Sequence, residues 1–453
     1  MKKLILKGFS VTLFVFAMMW GVSKLGDFKI FEVFDPISQA LGEFQLTDWV
    51  FTKFRPDPTP DERIVIVNLS TATRRELAQA INVISQYRPK VIGIDGFFNC
   101  EGGLYDTLNC PQLMDTLGNL FLSDAIHSAG NVVLVSKLMQ TDSLFKTDPG
   151  HVFDSMEYSD MMFSSYAINA FANLPTGDRE GQNVATYQED VKICRDIIPQ
   201  MTVQGTRHLA FSVQMAMLYD SVKTKRFLER GNFEEVINYK GNVSIPDVKV
   251  KNFRDQMNDV SEYNSLCYVV DWGQFIQEEY DTSMFNNSIV IMGYLGDYFG
   301  DTAWEDKFFT PLNSKPAGRA NPDMFGPVIH ANVVAMILNE EYIEEIPMSV
   351  QVVIATIACF LNVLLFYWID KNWPMIYDGL SVIIQIIEIF IVGVIIIKCF
   401  EMFSLKLELS LTMAALALIG PCFDIYKGIE NILFSRLTPK PAEVLTPQEQ
   451  EIS

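Results

Sequence analysis

After residue 345 the sequence turns apolar and stays so almost to its end. The runs "VQVVIATIACFLNVLLFYWI" (350–369), "YDGLSVIIQIIEIFIVGVIII" (377–397) and "MFSLKLELSLTMAALALIGPCFDI" (402–425) are separated by only a few residues. At about 1.5 Å of rise per residue, each run reaches across roughly 30 Å of hydrocarbon as an α-helix. No water is present there to satisfy a backbone amide, so a helix is the form such a run must take. A fourth run, "LKGFSVTLFVFAMMWGV" (6–22), follows Lys2 and Lys3. It is either an uncleaved anchor or a leader cut near Gly21-Val22-Ser23; the absence of an Ala-x-Ala site favours the anchor.

Both readings place the same stretch outside the cytoplasm. Lys2, Lys3 and Lys7 precede the first span, and Lys427, Arg436 and Lys440 follow the last. Positive charge stays inside, so both ends are expected in the cytoplasm. The organisation read from this is a tail and anchor over 1–25, an exported domain over 26–349, three spans over 350–426, and a partly disordered cytoplasmic tail over 427–453. A formal net charge of −20, with no basic stripe, excludes a nucleic-acid partner.

Within the exported part, apolar periods of two and of 3.6 alternate. "RIVIVNLS" (63–70), "KVIGIDGFF" (90–98) and "NVVLVSKL" (131–138) read as strands, with helices between them over 73–87 and 113–129. This is βαβαβ, and it predicts an α/β domain with a mostly parallel sheet, carried on about four transmembrane α-helices. The segment 139–198 has no dominant period and reads as an insertion, antiparallel around "SSYAINAF". A helix over 207–220, a short strand at "EVINYKG", a buried strand over 287–296 and a closing helix over 327–338 complete the pattern. Pro327 suits the first turn of that last helix.

This order resembles the CHASE type 2 domain, an extracytoplasmic sensory module of bacterial signalling proteins with one N-terminal anchor and three closely spaced C-terminal spans. The matching pieces are "RIVIVNLS", "KVIGIDGFF", "NVVLVSKL", "NSIVIMGYLGD", the loop from Asp301 to Thr310-Pro311, and "GPVIHANVVAMIL". The resemblance implies a multi-pass protein of the bacterial cytoplasmic (inner) membrane with its large domain in the periplasm or outside. It also implies an extracytoplasmic ligand or protein and an output acting in the cytoplasm. The 27 residues after Tyr426 are too few for a kinase or cyclase, so the output is expected from a separate membrane or cytoplasmic protein. A sensory family is often a homo-oligomer, although no heptad pattern supports one here.

Candidate residues follow from placement. Asp95 ends a buried strand, where open α/β sheets bind ligands beyond the strand C-termini; its alternative role is to cap the turn at Gly96. Asn68 ends the first strand on the same edge. Asp301 and Thr310 belong to the family-like loop, and His330 and Asn332 to the "HAN" stretch. These six are the ligand-binding candidates. Asp297, Asp301, Glu305 and Asp306 form either a hard-cation loop or a solvated one, and they lack the calcium-loop spacing. His330 has no ligand or catalytic partner at helical spacing, so it reads as a packed histidine in a joint. No catalytic motif, metal pattern or cofactor site appears, and no enzyme activity is expected.

In the spans, Glu388 sits one turn beyond Gln385. A charge there costs on the order of 3 kcal/mol on insertion scales and must face protein; Asn362, Ser410 and Thr412 are its candidate partners. Gln385, Glu388 and Asn362 are the candidates for transmembrane coupling or docking. Cys100 and Cys110 flank a Gly-rich loop and either form a disulfide, worth about 3 kcal/mol, or remain thiols beside Cys194 and Cys267. Two functions fit: a sensor that passes a signal through its helices, or a structural subunit of an envelope complex.

Overall fold

The computed structural model describes residues 2–26, 46–55, 58–99, 115–147, 152–176, 193–243, 265–298, 300–301, 306–313 and 321–437. Cys100 and Cys110 lie outside the described residues. Two compact units are present, one of Met1–Ile37 with Glu345–Ser453 and the other of Ser38–Glu344.

Helix α1 (Lys2–Gly26) opens the chain, and a short α2 (Leu46–Lys53) leads into the second unit. There β1 (Asp61–Asn68), α3 (Arg74–Gln86), β2 (Val91–Asp95), α4 (Thr116–Ala129) and β3 (Val132–Met139) form the expected βαβαβ. Helix α3 starts on a capping box between Thr73 and Glu76. Helix α4 starts on Asp115 and stops at Gly130, whose φ of 69° is left-handed. Strands β4 (Ser155–Tyr158) and β5 (Ile168–Phe171) follow, then a hairpin of β6 (Gln200–Val203) and β7 (Thr206–Leu209). Helices α5 (Phe211–Tyr219) and α6 (Ser221–Glu229), strands β8 (Cys267–Val270) and β9 (Ile289–Gly293), and helix α7 (Gly326–Asn339) complete the unit.

The sheet runs β8-β1-β9-β2-β3-β4, with β5 also paired to β3. Every pairing is parallel except β3 with β4. The late strand β9 thus lies in the middle, between β1 and β2. Alternate residues serve alternate faces. Val65, Val67, Ile92, Ile94, Val132 and Leu134 pack with α3 and α4 in one core. On the other face, Gly93 admits α5, since a Cβ there would meet Met215 and Phe211. Helix α7 packs against β1 and β9 on that face. All thirteen residues from Gly326 to Leu338 are buried, which is why the helix is apolar all round though too short to span a bilayer.

The helix expected over 207–220 starts only at Phe211, because Thr206–Leu209 pairs with Gln200–Val203 as a hairpin strand, and three further expectations need correction. "SSYAINAF" contributes β5, which runs parallel to β3; the antiparallel partner is β4. A helical turn at Met161–Ser164 lies between β4 and β5, and the chain comes out of it running parallel to β3. Of "EVINYKG", only Glu235 and Val236 form a ladder, with Asp196 and Ile197. The backbone N–H groups of Lys240 and Gly241 are instead taken by the Asn332 side chain.

The third concerns the last apolar run. The helices are α8 (Met348–Asn372), α9 (Tyr377–Phe403) and α10 (Ser410–Leu437), so the last one starts eight residues later than hydropathy placed it. Ser404, left-handed at φ 51°, caps α9. Buried Lys406 then pairs with Glu345 and Glu408, which holds Leu405–Lys406 out of the helix.

Helices α1, α8, α9 and α10 are each long and apolar enough to cross a membrane. Helix α10 touches all three of the others. Val11 and Val15 of α1 share a core with Val363 and Phe366 of α8 and with Ala415, Ile419 and Phe423 of α10. Gly8 keeps α1 close to α8, because a Cβ there would stand 2.9 Å from Leu364 Cδ2.

Candidate functional site

The C-terminal ends of the parallel strands place Asn68, Gly293 and Asp95 side by side in register. Asn68 is fully buried, and its amide is fully used. Its Nδ2 donates to Asp271 Oδ1 at 2.7 Å and to the Gly296 carbonyl at 3.1 Å; its Oδ1 accepts from Ser70 N at 3.1 Å and Leu295 N at 2.8 Å. One side chain therefore sews together the loops that follow β1, β8 and β9. It has nothing left to offer a ligand.

Asp95 differs. Among the described residues no hydrogen bond reaches its carboxyl. Burial, reinforced by the Asp306 carboxylate, pushes that carboxyl up to about 7. A Cβ on Gly293 would stand 2.5 Å from Pro327 Cγ and 3.2 Å from Asp95 Cβ, and one on Gly326 would stand 3.5 Å from Asp95 Oδ2. Two glycines thus set Asp95 against the first turn of α7, whose positive end favours the ionised form.

The neighbouring loop is folded on itself. Asp301 Oδ2 accepts from Asp297 N at 3.2 Å, and its carbonyl accepts from Lys307 Nζ at 2.5 Å. Lys307 also lies over the Phe325 ring, and burial lowers its ammonium. Glu305 is outside the described residues, and no group of three or more metal-ligating side chains gathers among those described. Thr310 is buried and bound through N and Oγ1 to Asp323, at 2.9 and 2.5 Å. Burial raises the Asp323 carboxyl to about 6 despite those bonds.

His330 and Asn332 are both buried on α7. The His330 ring meets Phe211 edge-on at 5.2 Å, its Nδ1 has no partner among the described residues, and burial lowers its pKa to about 4. Asn332 accepts from Lys240 N at 2.9 Å and Gly241 N at 3.4 Å; it donates to the Gly241 and Val328 carbonyls at 3.0 Å each. Of the six candidates only Asp95 keeps a carboxyl without a hydrogen bond from a described residue. Asn68, Thr310 and Asn332 are fasteners, Asp301 is a loop brace, and His330 is packing.

Sequence reasoning missed the clamp at the other end of α7. Arg63 donates to the Leu338 carbonyl at 3.3 Å and Asn339 Oδ1 at 2.6 Å, and Lys223 donates to the same Leu338 carbonyl at 2.5 Å. Arg226 pairs with Glu340 at 2.9 Å. Arg230 bridges Glu235 and Glu344 at 2.8 and 2.6 Å and lies over the Tyr342 ring. Four cations therefore hold the Leu338 carbonyl and Asn339 at the end of α7 and Glu340, Tyr342 and Glu344 beyond it, where the helix dipole favours positive charge. They come from β1, α6 and the residue that caps α6, so no local pattern marks them.

In the membrane unit Asn362 Nδ2 donates to Glu388, joining α8 to α9. Gln385 Nε2 donates to the Leu416 and Ala417 carbonyls at 2.7 and 3.1 Å. Pro421 lies within α10 and has no N–H, so the carbonyl four residues back, that of Ala417, loses its helical donor. Gln385 supplies one from α9.

Compared with known families, residues 15–366, well over half of the chain, match the model of the CHASE2 domain. No curated protein matches, and no solved structure does.

Proposed function

The chain belongs to the CHASE2 family of extracytoplasmic sensory domains, and from that premise we propose that it is a multi-pass sensor of the bacterial inner membrane. In this reading the α/β unit faces the periplasm and binds a ligand. The state of α7 then passes through residues 340–344 into the spans and on to a partner that supplies the output. The clamp carries the reading: α7 is buried from Gly326 to Leu338 within the sensory unit, and four cations grip its end and the segment that leaves it. Signalling requires a ligand that discriminates two states of that segment. No turnover is assigned; occupancy is the signal. Asn362, Gln385 and Glu388 are the interhelical bonds through which the bundle would be read.

The test uses the full chain in nanodiscs with a cysteine at Met348, the first residue of α8, and the small-molecule fraction of a cell-envelope extract. Ligand should raise the melting temperature and change the labelling rate at that cysteine. Arg230→Gln, which releases Glu344, should keep the melting shift and lose the labelling response. A melting shift with no labelling change in the wild-type chain would instead mark a rigid structural subunit.

A further inference from the structure

The chain passes from one compact unit to the other between Glu344 and Glu345, and neither side of that peptide bond is slack. On the sensory side the held residues run without a gap. Arg226 pairs with Glu340, and the Asn238 amide donates to the Glu341 carbonyl at 2.9 Å. The Tyr342 ring stacks on Phe227, and Arg230 donates to the Ile343 carbonyl at 3.4 Å and the Glu344 carboxylate at 2.6 Å. On the other side Lys406 Nζ, in the turn between α9 and α10, reaches Glu345 at 2.8 Å, and Gln351 of α8 donates to the Ile346 carbonyl at 2.9 Å. Consecutive Cα atoms are about 3.8 Å apart, so a displacement of Glu344 along the chain falls directly on the Lys406 ion pair.

Lys406 is only 7% exposed, and a buried ammonium is costly to leave unpaired. A second carboxylate, that of Glu408 at 3.3 Å, comes from its own turn. An ammonium carries three donors, so it holds both acids at once. The two acids differ in what they follow: Glu345 moves with the exit segment, and Glu408 moves with the turn. When Glu345 is drawn away, Lys406 keeps Glu408, and the departing carboxylate, about half exposed, returns to water. Release leaves no bare buried charge, which is the condition for an element with two accessible states.

We infer that Lys406 is a releasable latch between the exit segment and the α9–α10 turn. Closed, it holds Glu345 and Glu408 together; open, it holds Glu408 and lets Glu345 go. A shift of the clamp therefore enters the bundle sideways, at the turn that leads into α10, the helix that touches the other three, as well as end-on through α8. The latch takes its input from the sensor reading and rests on it for its purpose; the exchange between the two acids is tested without it.

The test needs no ligand. Full chains in nanodiscs carry Met402→Cys, at an exposed position in the last turn of α9, and the maleimide labelling rate is taken relative to chains without that cysteine. Glu344→Gln cuts the sensory grip at an exposed carboxylate while Arg230 keeps Glu235, and it should change the rate at 402 at least about threefold. Glu345→Gln opens the latch outright, so it should bring the rate to the same value and leave Glu344→Gln no further effect. Glu408→Gln removes the acid that retains the released ammonium, so it should leave the rate at the wild-type value and suppress the response to Glu344→Gln. Glu345 and Glu408 are both about half exposed, so these variants keep the fold. An unchanged rate in Glu344→Gln, or a like change of rate in Glu345→Gln and Glu408→Gln, overturns the latch and leaves the sensor reading to its own test. If the latch pattern holds but labelling at position 348 does not respond to the envelope extract, the latch stands and the sensor reading falls.

Discussion

Asn68→Ala is expected to cost the α/β unit about 3–5 kcal/mol, among the largest effects of any single polar substitution in the chain. The side chain makes four hydrogen bonds in a fully buried position, to partners in the loops after β1, β8 and β9. Truncation leaves two backbone N–H groups, one carbonyl and the Asp271 carboxylate short of a partner. Each such loss costs about 1–3 kcal/mol, and the sum is less than additive because the loops relax together. Asn68→Asp should not rescue, since it keeps the two acceptor bonds but sets a second carboxylate against Asp271. Urea unfolding of the full chain in detergent, followed by tryptophan fluorescence, measures the shift in midpoint. A change below about 1 kcal/mol would mean that Asn68 does not hold the loops.

Asn332→Ala is the second, with an expected loss of about 2–4 kcal/mol. Its amide ties α7 to Lys240 and Gly241 from both sides, so removal strands a loop as well as a helix. Two residues away, His330→Leu should be nearly neutral above about pH 7, because the ring offers packing against Phe211 and an Nδ1 without a described partner. The two differ again in acid. The folded His330 pKa, lowered to about 4, lies below the ordinary value of about 6.5. The unfolded chain therefore binds more protons in between, and stability is lost as pH falls through that window. His330→Leu removes this loss. The effect is read as the difference between variant and wild-type stability across pH, in which Asp95 and Asp323, with raised carboxyls that favour the folded state in acid, cancel. If the His330→Leu and wild-type curves ran parallel from about pH 7 to about pH 4, His330 would not be buried in its neutral form.

The contrast within "HAN" shows where sequence reading stops. Strands β1, β2, β3 and β9 and helices α3 and α7 were legible because apolar period and caps are local properties. Their order was not, since nothing local says that β9 enters between β1 and β2. The stretch Cys267–Val270, four residues at the sheet edge, was too short to carry a period. Asn68, Thr310 and Asn332 read as ligand contacts because buried asparagines and threonines look alike in sequence whether they face a ligand or a loop. Their partners lie at Asp271, Asp323 and Gly241, far along the chain. Gln385 stood out as polar within a span, but its task became visible only when packing set it beside Pro421. Of the strand-end residues, Asp95 is the one whose carboxyl no described residue hydrogen-bonds.

Sidedness is the claim on which ligand, clamp and bundle all depend, and labelling intact cells with a membrane-impermeant maleimide tests it most directly. Met161→Cys replaces a residue 81% exposed on the α/β unit, and Met375→Cys one 98% exposed between α8 and α9. Against the wild-type background, the cysteine at 161 should react once the reagent reaches the periplasm. The cysteine at 375 should react only after the inner membrane is opened. The reverse pattern, with 375 reacting first and 161 protected until the inner membrane is breached, would contradict the account.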